Sequence, residues 1–142
     1  MTGTFKHHTR SFEDLLAELT FDFFGSGQHK TTMDELLLQS DALLLDVRST
    51  EEVQILALQA AHNIPVLHIP TNDIPARVDE IPRDRPVAVF CSAGIRAAIV
   101  YAYLRTRGFD RVRILIGGYS IFTEQAKPGT LLKQMNAQRK TL

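Results

Sequence analysis

The sequence predicts an α/β domain: a mostly parallel sheet of about five strands with helices on both faces. Two observations predict it. Short apolar, β-branched runs alternate along the chain with segments of helical period, and no tandem repeat interrupts them. That alternation is the pattern of parallel strands joined by crossover helices. The second observation is one strand–loop–helix unit, residues 85–108, around which the rest is arranged. Residues 86–90 form a short apolar run of the kind buried on both sheet faces. Residues 97–104 are apolar nearly all round and too long for an ordinary strand, so they read as a buried helix. Arg105 and Arg107 fall in its last turn, where cations suit the dipole, and Gly108 follows as a C-terminal cap.

The remaining elements follow in chain order. Residues 1–28 read as an N-terminal extension, 29–128 as the main domain, and 129–142 as a C-terminal helix and tail. His7 and His8 read as solvated. Residues 11–24 read as one amphipathic helix, with Ser11 as N-cap, Glu13 and Asp14 in the first turn, and Phe12, Leu15, Leu16 and Leu19 on one face. Its acidic face has the wrong sign for anionic lipid. Packing on its own domain is the favoured reading, and a homodimer contact is the alternative. Residues 25–30 read as a linker. Thr32 to Glu35 has the capping-box pattern that starts a short helix. Residues 42–47 read as a buried strand, with Asp46 and Arg48 at its C-terminal end, where open α/β sheets bind ligands. A helix is expected over 49–59, a short strand over 62–66, and His68 in a loop. A further short helix is expected over 73–78, with Pro75 just inside it. Residues 111–116 read as the last strand, Gly117-Gly118 as a tight turn, and 119–125 and 130–140 as helices.

Composition narrows the function. The 142 residues suffice for one domain with its own core. Lys and Arg number 16, as do Asp and Glu, so the formal net charge is zero. That argues against a general nucleic-acid surface or an electrostatic membrane anchor. No apolar run approaches the length of a transmembrane helix and no signal peptide is apparent, so a cytoplasmic protein is expected. A single cysteine, Cys91, excludes an internal disulfide and a cysteine-rich zinc site. Neither a metal nor a separate cofactor is expected. Any covalent intermediate on Cys91 must be resolved by a nucleophile from elsewhere.

Cys91 lies between strand and helix, in the segment Cys91-Ser92-Ala93-Gly94-Ile95-Arg96. A cysteine there faces the unpaired N–H groups and positive dipole end of the helix, which stabilise a thiolate. The small residues Ser92, Ala93 and Gly94 let the backbone curl around one large anionic atom. A buried, inert cysteine is the bland alternative, but the loop and the arginine at the helix start favour a reactive thiol.

Four blocks together resemble a rhodanese homology domain, over about residues 30–128. Asp46-Val47-Arg48 with Glu51-Glu52 resembles the D-V-R-x-x-x-E block, and Asn63-Ile64-Pro65 the N-I-P strand. Cys91 to Arg96 resembles the C-x-x-G-x-R active loop, and Leu115 to Gly118 the L-x-G-G turn, with Pro128 at the closing proline. The chain departs from the family in lacking the glycine and histidine before the N-I-P strand, which points to a longer helix there. It also has Phe122 for a tryptophan, and Ser92 where arginine is common, which weakens the case for thiosulfate.

The resemblance implies a rhodanese-like three-layer sandwich and a sulfurtransferase. Cys91 would carry sulfane sulfur as a covalent persulfide, from a donor such as thiosulfate or a persulfide to a thiol or cyanide acceptor. Backbone amides from Ser92 to Arg96 would hold the persulfide. Arg96 would either bind an anionic donor or turn to a carboxylate. Asp46 and Arg48 would support the pocket as an ion pair, either structural or in contact with substrate. Partners would be a small sulfur donor and a thiol acceptor, including a sulfur-carrier or thioredoxin-like protein. A non-catalytic persulfide carrier or docking module is the alternative. A cysteine phosphatase or arsenate reductase is disfavoured, because the C-x4-R loop is one residue shorter than C-x5-R.

Overall fold

The computed structural model describes residues 9–58 and 64–139. Five strands form one fully parallel sheet: β1 (Lys30–Thr31), β2 (Leu43–Asp46), β3 (Val66–His68), β4 (Val87–Phe90) and β5 (Val112–Leu115), in the order β1-β5-β4-β2-β3. The helices are α1 (Phe12–Glu18), α2 (Phe21–Gly25), α3 (Met33–Leu37), α4 (Thr50–Ile55), α5 (Ile74–Arg77), α6 (Ile95–Thr106), α7 (Ser120–Gln125) and α8 (Pro128–Arg139). Short 3-10 turns flank α5.

The two-residue period of the strands sorts the core into two clusters. Leu43, Leu45 and Val47 join Val87, Val89 and Cys91 in one, with Ile74 of α5 and Ala97, Val100, Tyr101 and Leu104 of α6. Leu44, Ala88 and Phe90 join Met33 and Leu36 of α3 and Leu115 in the other, with Tyr119, Ile121 and Phe122 packed against it. Three layers result, with the sheet in the middle. Outside them α1 packs against α6, burying Leu15 completely. Its Glu18 pairs with Arg105 of α6 and with Arg10. The N-terminal helix therefore packs on its own domain, while Phe12 and Leu16 stay exposed.

The strand order places the site. From β2 the chain leads outward to the edge strand β3, whereas from β4 it leads the other way to β5. The connections diverge between β2 and β4, and beyond the C-terminal ends at such a point is where open parallel sheets bind ligands. Asp46 stands opposite Phe90 there, and Cys91 follows immediately.

Several elements differ from the sequence reading. The helix expected over 11–24 is two helices. Leu19 leaves helical geometry, and Thr20 starts α2 afresh by accepting from the Phe23 N–H at 3.2 Å. The strand expected over 62–66 begins at Val66. Pro65 has no N–H to give, but its carbonyl accepts from the Leu44 N–H at 2.9 Å. His68 is the last residue of that strand rather than a loop residue. The helix expected over 49–59 stops at Ile55, and Leu56 is extended. α4 buries no residue, so nothing beyond its cap rewards further turns. Strand β1 lies where a linker was read. His7, His8, residues 59–63 and Lys140 fall outside the described residues. No helix of the described residues is long and apolar enough to cross a membrane.

Candidate active site

Cys91 ends the β4 run and is only 3% exposed. It shares a sheet face with Val87 and Val89, so its sulfur points toward the start of α6. The loop from Ser92 to Gly94 brings the helix over it. Gly94 is the N-cap in a left-handed conformation, φ +89°, which a side chain would strain. This turn aims two backbone donors at one atom. The Gly94 N–H donates to Cys91 Sγ at 3.1 Å and the Ala97 N–H at 3.2 Å. Helix N-terminal amides stabilise negative charge there without a metal. Among the described residues, no three His, Cys, Asp or Glu side chains are placed to share a metal ion.

Arg96, in the first turn of α6, turns to a carboxylate. Its Nη1 donates to Glu52 Oε1 at 2.6 Å and its Nη2 to Oε2 at 3.0 Å. The same Nη2 donates to Ser92 Oγ at 3.0 Å, so Ser92 and Arg96 close the loop on themselves. Glu52 is held from its own side as well. Ser49 N-caps α4 in a full capping box, and Glu52 Oε1 accepts from the Ser49 N–H and hydroxyl. The Arg96 guanidinium, then the Ser49 amide, hold the Glu52 carboxyl down at about 2. Arg96 is shifted up by the same bond. Both side chains are about one-third exposed, so this pair lies at the rim.

Asp46 and Arg48 form a second pair, fully buried. Asp46 Oδ1 accepts from the Arg48 backbone N–H at 3.1 Å and from Nε at 2.9 Å, and Oδ2 accepts from Nη2 at 2.7 Å. Arg48 Nη1 donates to the Tyr119 hydroxyl at 3.1 Å. The guanidinium lies 5.4 Å from the Tyr119 ring centre and 5.8 Å from that of Phe90. These bonds, those to Asp46 foremost, raise the Arg48 pKa despite burial. His68 Nε2 bonds the Arg48 carbonyl at 2.8 Å. The pair is thus a structural clamp between the end of β2 and the turn after β5. That turn touches the loop directly. Gly118 has φ +58°, and a Cβ there would stand 3.2 Å from the Ser92 carbonyl oxygen.

Of the sequence candidates, Cys91, Ser92, Gly94 and Arg96 converge on one site. Ala93 spans the turn, and Ile95 projects outward, 71% exposed. Asp46 and Arg48 lie beneath the site rather than at its mouth. Sequence reasoning named Glu52 only within the D-V-R-x-x-x-E block and placed neither it nor Ala97 or Tyr119 in the site. The Glu52 signal was present twice, as the last residue of D-V-R-x-x-x-E and as N3 of the S-x-x-E cap.

Comparison with known proteins places the chain among relatives. The Rhodanese-like domain model matches residues 30–125. A sulfurtransferase of Allochromatium vinosum is 37% identical over 89 residues, which cover 62% of this chain and 78% of that protein. The putative sulfurtransferase YtwF of Bacillus subtilis is 30% identical over 96 residues, covering 67% and 86%. A rhodanese-related protein from Thermoplasma volcanium superposes with a TM-score of 0.58 at 22% identity, over 70% of this chain and 95% of that one, which speaks for the fold.

Proposed function

The chain belongs to the rhodanese-like domain family, and from that premise we propose that it is a sulfurtransferase carrying sulfane sulfur as a persulfide on Cys91. The observation that carries the reading is the pair of amides, Gly94 and Ala97, aimed at Cys91 Sγ. They stabilise the thiolate that attacks the outer sulfur of a donor. The donor's S–S bond breaks, its remainder leaves with the electron pair, and Cys91 keeps the sulfur as Cys–S–S⁻. A thiol or cyanide then attacks the outer sulfur and Cys91 returns as thiolate, in two covalent half-reactions. Thiosulfate and persulfides both have the S–S bond this step requires. The protein itself needs no further cofactor on this reading. The cytoplasm, where an unpaired thiol stays reduced, is the compartment it assigns.

A carrier role with a protein acceptor is the second reading. Ile95 and Ile99 are exposed on α6 beside the loop, and Phe12 and Leu16 are exposed on α1, which packs against that helix. The test of the primary reading is intact mass after incubation with thiosulfate or a polysulfide, for wild type and Cys91→Ser. The expected result is a gain of one sulfur atom on wild type alone, reversed by a reductant. No gain from either donor overturns it. Cyanide turnover then separates enzyme from carrier.

A further inference from the structure

Both arginines at the site are already neutralised by carboxylates, Arg48 by Asp46 beneath it and Arg96 by Glu52 at its rim. The second loop position, Ser92, contributes a hydroxyl that accepts from Arg96 rather than a charge. The residue projecting at the mouth is Ile95, an apolar side chain. A thiolate held in such a site repels a dianion, and the repulsion grows where water is excluded. We propose that Glu52 is a specificity-determining residue: its two-point pairing with Arg96 withholds that cation from incoming donors and selects thiol persulfides over thiosulfate. The inference rests on the sulfurtransferase reading above and names its donor class.

The chemistry balances for either donor. With a thiol persulfide, the Cys91 thiolate forms a bond to the outer sulfur, the R–S–S bond breaks, and R–S⁻ leaves with the pair and takes a proton from water. With thiosulfate the leaving group is sulfite, and the two reactants together carry three negative charges into the encounter. A persulfide whose remainder is net neutral, such as cysteine persulfide, brings the total to two at most. Glu52 stays ionised through the physiological range, because Arg96 and the Ser49 amide hold its carboxyl far below neutrality. It acts on donor binding without touching the reacting sulfur.

The experiment measures the rate of sulfur loading on Cys91 by quenched intact mass, against cysteine persulfide and against thiosulfate. Glu52→Gln removes the charge but keeps an acceptor for the Ser49 amide, so the cap on α4 survives. Ser92→Lys leaves Glu52 in place and adds a cation to the mouth. Wild type should load from the persulfide at least about tenfold more efficiently than from thiosulfate. Each variant should shift that ratio toward thiosulfate by roughly tenfold, mainly through a lower half-saturating thiosulfate concentration. A structural role alone would instead lower both loading rates together. The inference is overturned if wild type loads equally from the two donors, or if neither variant moves the ratio. If no donor loads Cys91 at all, the sulfurtransferase reading itself has failed.

Discussion

Two arginine–carboxylate pairs flank the same cysteine, and they are built for different work. Asp46–Arg48 is fully buried, and its guanidinium also reaches a third partner, the Tyr119 hydroxyl, across the chain. Glu52–Arg96 joins two helix N-termini at the rim and is one-third exposed. Both arginines lie beyond the C-terminal end of a central strand, Arg48 just past β2 and Arg96 in the first turn of α6, so chain position alone does not rank the pairs. Burial does. A buried pair exchanges hydration for fixed partners, so losing one partner strands a charge. A rim pair keeps much of its water, so its loss changes local charge more than stability.

The sharpest way to break the comparison is Arg48→Met. It leaves the Asp46 carboxylate buried without its cation and should cost about 3–5 kcal/mol of stability, read from urea unfolding at neutral pH. A cost below about 1 kcal/mol would remove the distinction between the pairs. Tyr119→Phe is the next step down. It deletes one acceptor of Arg48 and leaves a buried donor unpaired, with an expected loss of about 1–2 kcal/mol.

Glu52→Gln should be the mildest, below about 1 kcal/mol at neutral pH. Its effect should also depend on pH in a defined sense. The Glu52 carboxyl sits at about 2 in the folded protein against an ordinary 4.5, so its charged form is favoured by folding. The contribution is complete above the ordinary value and is lost as pH falls toward 2. Unfolding midpoints of wild type and Glu52→Gln should therefore differ by a constant amount above about pH 5 and converge on acidification. A gap that widens toward acid would show that Arg96 is not what holds the carboxylate.

The same comparison explains what was legible in the sequence. The central strands were, because 42–47 and 86–90 are apolar runs long enough to need burial on both faces. The cysteine loop was too, because strand, small residues and helix abut in one segment. β1 was not, because Lys30–Thr31 is two residues long and takes its identity only from pairing with β5. The break at Thr20 was hidden because Phe21, Phe23 and Phe24 continue an apolar stretch while the threonine caps a new helix. Arg96 was left between donor and carboxylate because Glu52 lies 44 positions away. Ala97 escaped notice because its contribution is a backbone amide, which side-chain chemistry does not advertise.

β4 is held by ladder partners on both sides, β2 and β5, and Cys91 is its next residue. Which layer that sulfur faces is therefore a matter of parity. Sliding the strand by one residue would swap Cys91 to the side of Phe90, away from the amides of α6. The reactive atom inherits its aim from the middle of the sheet, and core strands are the part of a domain that opens least readily. The strand sets where the thiol points, and the loop, tied down through Ser92, Arg96 and Glu52, sets which amides meet it.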